Sequence, residues 1–118
     1  MLACMANTAS ECFNRRTLAC ILIIICFSCS QSNDRKYFNA GTKKSASGDY
    51  AGAIADYDRA IQINPNYVKA YNNSGIAKDA LKDQAGAIAD YDKAIELNPL
   101  YAKAYTNRTE VESLRAAR

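Results

Sequence analysis

Two pairs of aspartates could do chemistry if they converged: Asp56 with Asp58, and Asp90 with Asp92. Paired carboxylates serve acid–base catalysis and the binding of hard cations. Their spacing argues against both uses. Two positions apart on a helix is about 200° around the axis, so the members of each pair diverge. Arg59 follows Asp56, and Lys93 follows Asp90, at i,i+3, so each aspartate is expected in a solvated ion pair along its own helix. Histidine and tryptophan are absent, and the five cysteines (Cys4, Cys12, Cys20, Cys26, Cys29) all lie in the first quarter. A body with neither His nor Cys assembles no zinc site and no His-based nucleophile, and it has no pair to bridge. No catalytic residue, metal or cofactor is expected, and the reading is of a protein that is not an enzyme. A net charge of +3, with no basic run interleaved with aromatics, gives no footprint for nucleic acid.

The chemistry that does recur is hydrogen-bond donation. Arg35, Lys69 and Lys103 return at a fixed interval, and Asn39, Asn73 and Asn107 lie four residues after them. Four apart on a helix means one face. A strip of cations and amides without carboxylate competition suits acidic side chains, backbone carbonyls or a C-terminal carboxylate.

A duplicated element must position this strip. The octet AGAIADYD occupies 51–58 and again 85–92, and 17 of 23 positions are identical between 51–73 and 85–107. The offset is 34 residues (85 − 51), within the range of solenoid repeats. In the first copy Ala53, Ile54, Tyr57, Ala60 and Ile61 trace a helical stripe, with Asp56, Asp58, Arg59 and Gln62 beyond its edges. Asp49 and Asp83 are placed to cap that helix in each copy. Pro65 and Pro99 end it, because the residue before a proline is pushed out of α geometry. The next helix begins near Val68 and Ala102, with Tyr71 and Tyr105 on its inner face and Tyr37 in the same place in the first unit. Gly48-Asp49 supplies the turn inside unit one. Lys82-Asp83 supplies it in unit two and is the poorer turn.

The period, the small residues and the proline together resemble the tetratricopeptide repeat, a helix-pair family of 34 residues. Counted from 34, the family's positions fill in order. An aromatic opens the first helix (Tyr37, Tyr71), and a glycine allows close helix approach (Gly41, Gly75). A small-aromatic-small triplet marks the second helix (Ala53, Tyr57, Ala60, then Ala87, Tyr91, Ala94), and a proline closes the unit (Pro65, Pro99). The resemblance implies an all-α, short helix-turn-helix solenoid of about two and a half units over 35–118: units 34–67 and 68–101, then a half-unit capping helix at 102–118. Arg108 and Thr109 depart from the pattern there. It also implies that Arg35, Asn39, Lys69, Asn73, Lys103 and Asn107 line a concave groove that binds an extended or acidic peptide of a partner protein. Some members hold acidic C-terminal tails of heat-shock chaperones in a carboxylate clamp. Asn73 and Lys103 match two of its positions, but Phe38, Thr42 and Asn107 do not, which leaves the clamp incomplete.

Residues 1–34 do not share the period. Arg15-Arg16 precedes the apolar run Leu18–Phe27 and a polar stretch, the layout of an export signal. Twelve residues from Leu18 to Cys29 make about 18 Å of helix against roughly 30 Å of hydrocarbon, which favours a signal peptide over 1–28 rather than a permanent span. Cys26-Phe27-Ser28-Cys29 resembles the lipobox of bacterial lipoproteins, with Cys29 as the acylated residue; the alternatives are an ordinary cleavage site or a retained signal-anchor. Residues 29–34 would be a polar tether. The expectation is a non-enzymatic interaction module at the bacterial cell envelope, attached to the membrane through the N-terminal segment or acylated Cys29. The runner-up is an assembly component that stacks through its open C-terminal end or forms a homo-oligomer.

Overall fold

The computed structural model describes residues 33–118, and these form five helices with no strand among them. The helices are α1 (33–46), α2 (Tyr50–Ile63), α3 (Val68–Ala80), α4 (Gln84–Leu97) and α5 (Ala102–Ala116). α1 with α2, and α3 with α4, make two hairpins, and α5 begins a third. α3 packs on α2, α4 and α5, and α4 also packs on α5, so the molecule is an all-α solenoid. No helix among the described residues is long and apolar enough to cross a membrane. The segment 1–28 and Cys29 lie outside them.

Inside each hairpin one aspartate serves two helices. The Asp49 N–H donates to Lys44 O at 2.9 Å and closes α1, while its carboxylate accepts from the Gly52 N–H at 2.9 Å and opens α2. Asp83 repeats this with Lys78 O at 2.9 Å and Gly86 N at 3.0 Å. The residue before each aspartate must be left-handed to complete such a closure. Gly48 does so at φ 86°, whereas Lys82 takes φ 68° with a full side chain, at a cost of about 1 kcal/mol. Between hairpins, Asn64 and Asn98 are held extended ahead of their prolines (φ −130° and −145°). Their side-chain oxygens accept from the Asn66 and Leu100 N–H groups at 3.2 and 3.0 Å. Pro65 and Pro99 are exposed, so they shape these turns and fill no seam.

The seams are built from small residues around a ring. Ala53, Tyr57 and Ala77 form one buried cluster; Ala87, Tyr91 and Val111 form the next. Each joins an alanine and a tyrosine of one hairpin to a residue of the following unit, so no hairpin completes its core alone. Ala60, Ala94, Ala70 and Ala104 are fully buried beside these clusters. Gly41 and Gly75 face the ring edges: a Cβ on them would stand 2.8 Å from Tyr57 Cε1 and 2.6 Å from Tyr91 Cε1. Thr109 holds the same place in α5, where no ring stands opposite among the described residues. Tyr37 and Tyr71 are half-buried, but Tyr105 is 42% exposed, with no second helix covering it among the described residues.

Two local expectations are corrected. Asn33 and Asp34, read as tether, are helical; the Asp34 carboxylate is buried and accepts from Asn64 Nδ2 at 2.9 Å, a partner 30 residues away. Asp56 and Asp90 do not pair along their own helix. Both reach across the hairpin, to Lys44 at 2.8 Å and Lys78 at 2.7 Å. The antiparallel lysine wins because burial strengthens a pair that solvent would otherwise screen. Lys93 turns to Glu96 at 2.9 Å, and the Arg59 guanidinium lies 5.6 Å from the centre of the Tyr37 ring.

Candidate functional site

α1, α3 and α5 share one face of the solenoid. Arg35, Asn39 and Lys69 come together there, in an open recess of about 540 Å³ completed by Phe38, Asn66, Tyr67 and Val68. No carboxylate is among the residues lining it. Arg35 and Lys69 have no ion-pair partner among the described residues, and neither has Lys103, whereas Lys44, Lys78, Lys93 and Arg108 are all paired. The floor is aromatic: the Phe38 ring centre lies 5.0 Å from that of Tyr67 and 5.8 Å from that of Tyr57. Burial pushes the Tyr67 phenol above its usual pKa, with Asp34 adding to the shift and Arg35 opposing it. Tyr67 therefore remains a neutral donor at physiological pH.

Asn73 belongs to a second recess of about 320 Å³, among Thr42, Ser45, Ala46, Tyr50, Tyr57 and Ile76. Asn107 meets α3 instead: its Nδ2 donates to Asn72 Oδ1 at 3.0 Å, and Asn72 Nδ2 donates to Asn73 Oδ1 at 3.3 Å. Lys103 is exposed and lines neither recess. The six sequence-derived positions therefore spread along one face instead of meeting in one pocket. Such a face offers cationic and amide donors to an extended chain, with apolar wells between them.

Sequence reasoning passed over Phe38, Tyr67, Ile76 and Asn72. The signal was present for three of them. Phe38 lies three residues after Arg35, and Asn72 and Ile76 lie three and seven after Lys69, all on the stripe that carries the cation. Tyr67 precedes α3 and has no such helical periodicity to mark it.

At the seam behind this face, Asp58 lies near both Lys78 and Asp90. Partial burial raises its carboxyl pKa, Lys78 opposes the shift and Asp90 adds to it. The Asp92 carboxylate, its counterpart, contacts Arg108 Nη1 at 3.0 Å.

Comparison with known proteins fits this architecture. Residues 45–78 match the family model described as TPR repeat, and residues 68–99 match that described as tetratricopeptide repeat. No curated protein sequence matches the chain. Among solved structures, the first TPR of Spaghetti (RPAP3), bound to the HSP90 peptide SRMEEVD, is 29% identical with a TM-score of 0.66, over 68% of this chain and 65% of that one. The TPR2B domain of yeast Sti1, in a complex with pHsp70, is 25% identical at TM-score 0.69, over 70% of this chain and 66% of that one. MamA is 25% identical at TM-score 0.70, over 71% of this chain and 49% of that one. The chain thus spans less than two thirds of each of these three. Family models and structural neighbours alike support tetratricopeptide repeats in this chain.

Proposed function

We propose that this chain is a peptide-binding module that holds an extended, acidic segment of a partner protein along the face of α1, α3 and α5. One observation carries the reading: Arg35 and Lys69 share a recess that no carboxylate lines. Two like charges in one recess attract an anionic ligand, with the Asp34 carboxylate beside Arg35 offsetting part of that charge, and Asn39, Asn73 and Asn107 add donors for its backbone. The neighbours bound to HSP90 and Hsp70 partners support the same use of the fold. Phe38 and Thr42 in place of clamp residues favour binding along the peptide over capture of its end.

The test is fluorescence anisotropy with labelled SRMEEVD and a neutral analogue as probes. The acidic probe should bind, more weakly as salt is raised, and Lys69→Glu with Lys103→Glu should abolish binding while leaving the helical circular-dichroism signal intact. Binding that survives the charge reversal, or equal binding of the neutral probe, moves the contact elsewhere.

The module is exported and held at the bacterial envelope in this reading, by an acylated Cys29 or a retained apolar segment. The layout Arg15-Arg16, Leu18–Phe27, Ser28-Cys29 supports it. Intact mass of the chain recovered from membranes decides: a mass starting at Cys29 plus acyl chains is expected, and recovery of an unmodified chain from the soluble fraction overturns it.

A further inference from the structure

Asn72 is buried to 2% exposure, and each end of its amide is engaged by one of the two asparagines of the binding face. It accepts from Asn107 with its oxygen and donates to Asn73 with its nitrogen. A primary amide has one acceptor end and one donor end, so this relay has a direction. Asn73 spends its oxygen on Asn72 and keeps its NH₂ free. Asn107 spends one N–H on Asn72 and keeps its oxygen and its other N–H free among the described residues. The position is special to the middle unit: the residues one period away are Phe38 and Thr106. Neither carries an amide, so no equivalent relay exists at the other two helices.

We propose that Asn72 is a positioning residue that fixes the polarity of the binding face, so that Asn73 presents a donor and Asn107 an acceptor. This rests on the groove reading above and adds to it the part of the ligand read at this point. A donor beside an acceptor complements the C=O and N–H of one residue of an extended chain, which point to the same side, with the C=O on Asn73 and the N–H on Asn107. Two carboxylates would leave the Asn107 oxygen facing a negative charge. The acidic groups of the ligand therefore belong to Arg35, Lys69 and Lys103, while the amide pair reads backbone and tolerates any side chain there. An Asn72 turned end over end on its own would set its NH₂ against the N–H of Asn107 and its oxygen against the oxygen of Asn73, so reversal requires all three amides to turn together.

The experiment follows side-chain amide protons by NMR in the full chain, alongside binding of labelled SRMEEVD. One Asn107 Nδ2 proton should exchange slowly with water, and those of Asn73 should exchange fast. Asn72→Leu, close in volume, should release the Asn107 proton and weaken the probe about tenfold without loss of helicity. Asn72→Asp, whose carboxylate only accepts, should turn Asn73 round and slow its exchange; this variant serves should the leucine fail to fold. Slow exchange at Asn73 in the native chain overturns the assigned direction. Unchanged probe affinity in a folded Asn72→Leu chain overturns the role. A native chain with slow Asn107 exchange that binds no probe keeps the relay's direction but overturns both its role and the groove reading.

Discussion

α3 and α5 hold the same place in successive units, but only α3 has a second helix of its own hairpin beside it among the described residues. Toward the preceding unit they are alike: Ala70 and Ala77 in α3, Ala104 and Val111 in α5, all buried. Toward the following helix they part. Gly75 and Lys78 of α3 meet Tyr91 and Asp90, while Thr109 is exposed and Glu112 turns back to Arg108 at 3.0 Å on its own helix. α1 shows the mirror case, with exposed Lys36 and Lys43 where α3 has buried Ala70 and Ala77. Residue identity in this repeat tracks the contact, position by position. At these positions, where no neighbour stands among the described residues, the side chain is polar, while Tyr105 and Leu114 of α5 stay apolar and exposed.

The sharpest way to break this comparison is to exchange residues between a covered and an uncovered helix. Ala77→Lys, which gives α3 the residue of α1, puts an ammonium against Ala53 and Tyr57 and should cost about 3–5 kcal/mol in urea unfolding. Lys43→Ala should change the midpoint by less than about 0.5 kcal/mol. Similar losses from both would mean that burial does not govern these positions.

A smaller contrast concerns the ring edge. Gly75→Ala drives a Cβ to 2.6 Å from Tyr91 Cε1, and Tyr91 is only 1% exposed. Overpacking of about 1–3 kcal/mol outweighs the roughly 1 kcal/mol of helix propensity gained, so the thermal midpoint should fall. Thr109→Ala in α5 should leave it level or raise it. A rise for both would show that the ring can move aside.

The smallest effect lies in the two seam aspartates. Because burial raises the folded-state pKa of Asp58, its ionised form destabilises the fold, and protonation as pH falls through that raised value relieves the cost. Asp58→Asn should therefore stabilise slightly at neutral pH, by less than about 0.5 kcal/mol after solvent screening, and the gain should fade on acidification. Asp92→Asn, which loses the contact with Arg108, should shift stability the other way. Parallel urea titrations across pH 3–7 compare the two.

Much of the fold was legible because it is written locally and twice. The caps at Asp49 and Asp83 and the stops before Pro65 and Pro99 follow from a residue and its near neighbours, whereas the close approach at Gly41 and Gly75 came from the family resemblance. The weaker turn at Lys82 was legible too, and the structure gives its reason in the left-handed φ of 68°. What escaped depends on chain segments that sequence spacing cannot bring together. Lys44 reaches Asp56 across a hairpin, and Asn64 holds Asp34 from the far end of the first unit. At the binding face the 34-residue period located the cations and amides, because duplication copies them. It hid Asn72, which is not copied.

The clusters around Tyr57 and Tyr91 have a consequence for the order of assembly. Each is sealed by a residue from the helix that comes afterwards, Ala77 for the first and Val111 for the second. A chain emerging from the ribosome therefore carries one unfinished hairpin at its leading edge until the next helix arrives. The α3–α4 pair in turn stays open until α5 supplies Val111, so burial in each hairpin depends on the helix that follows it.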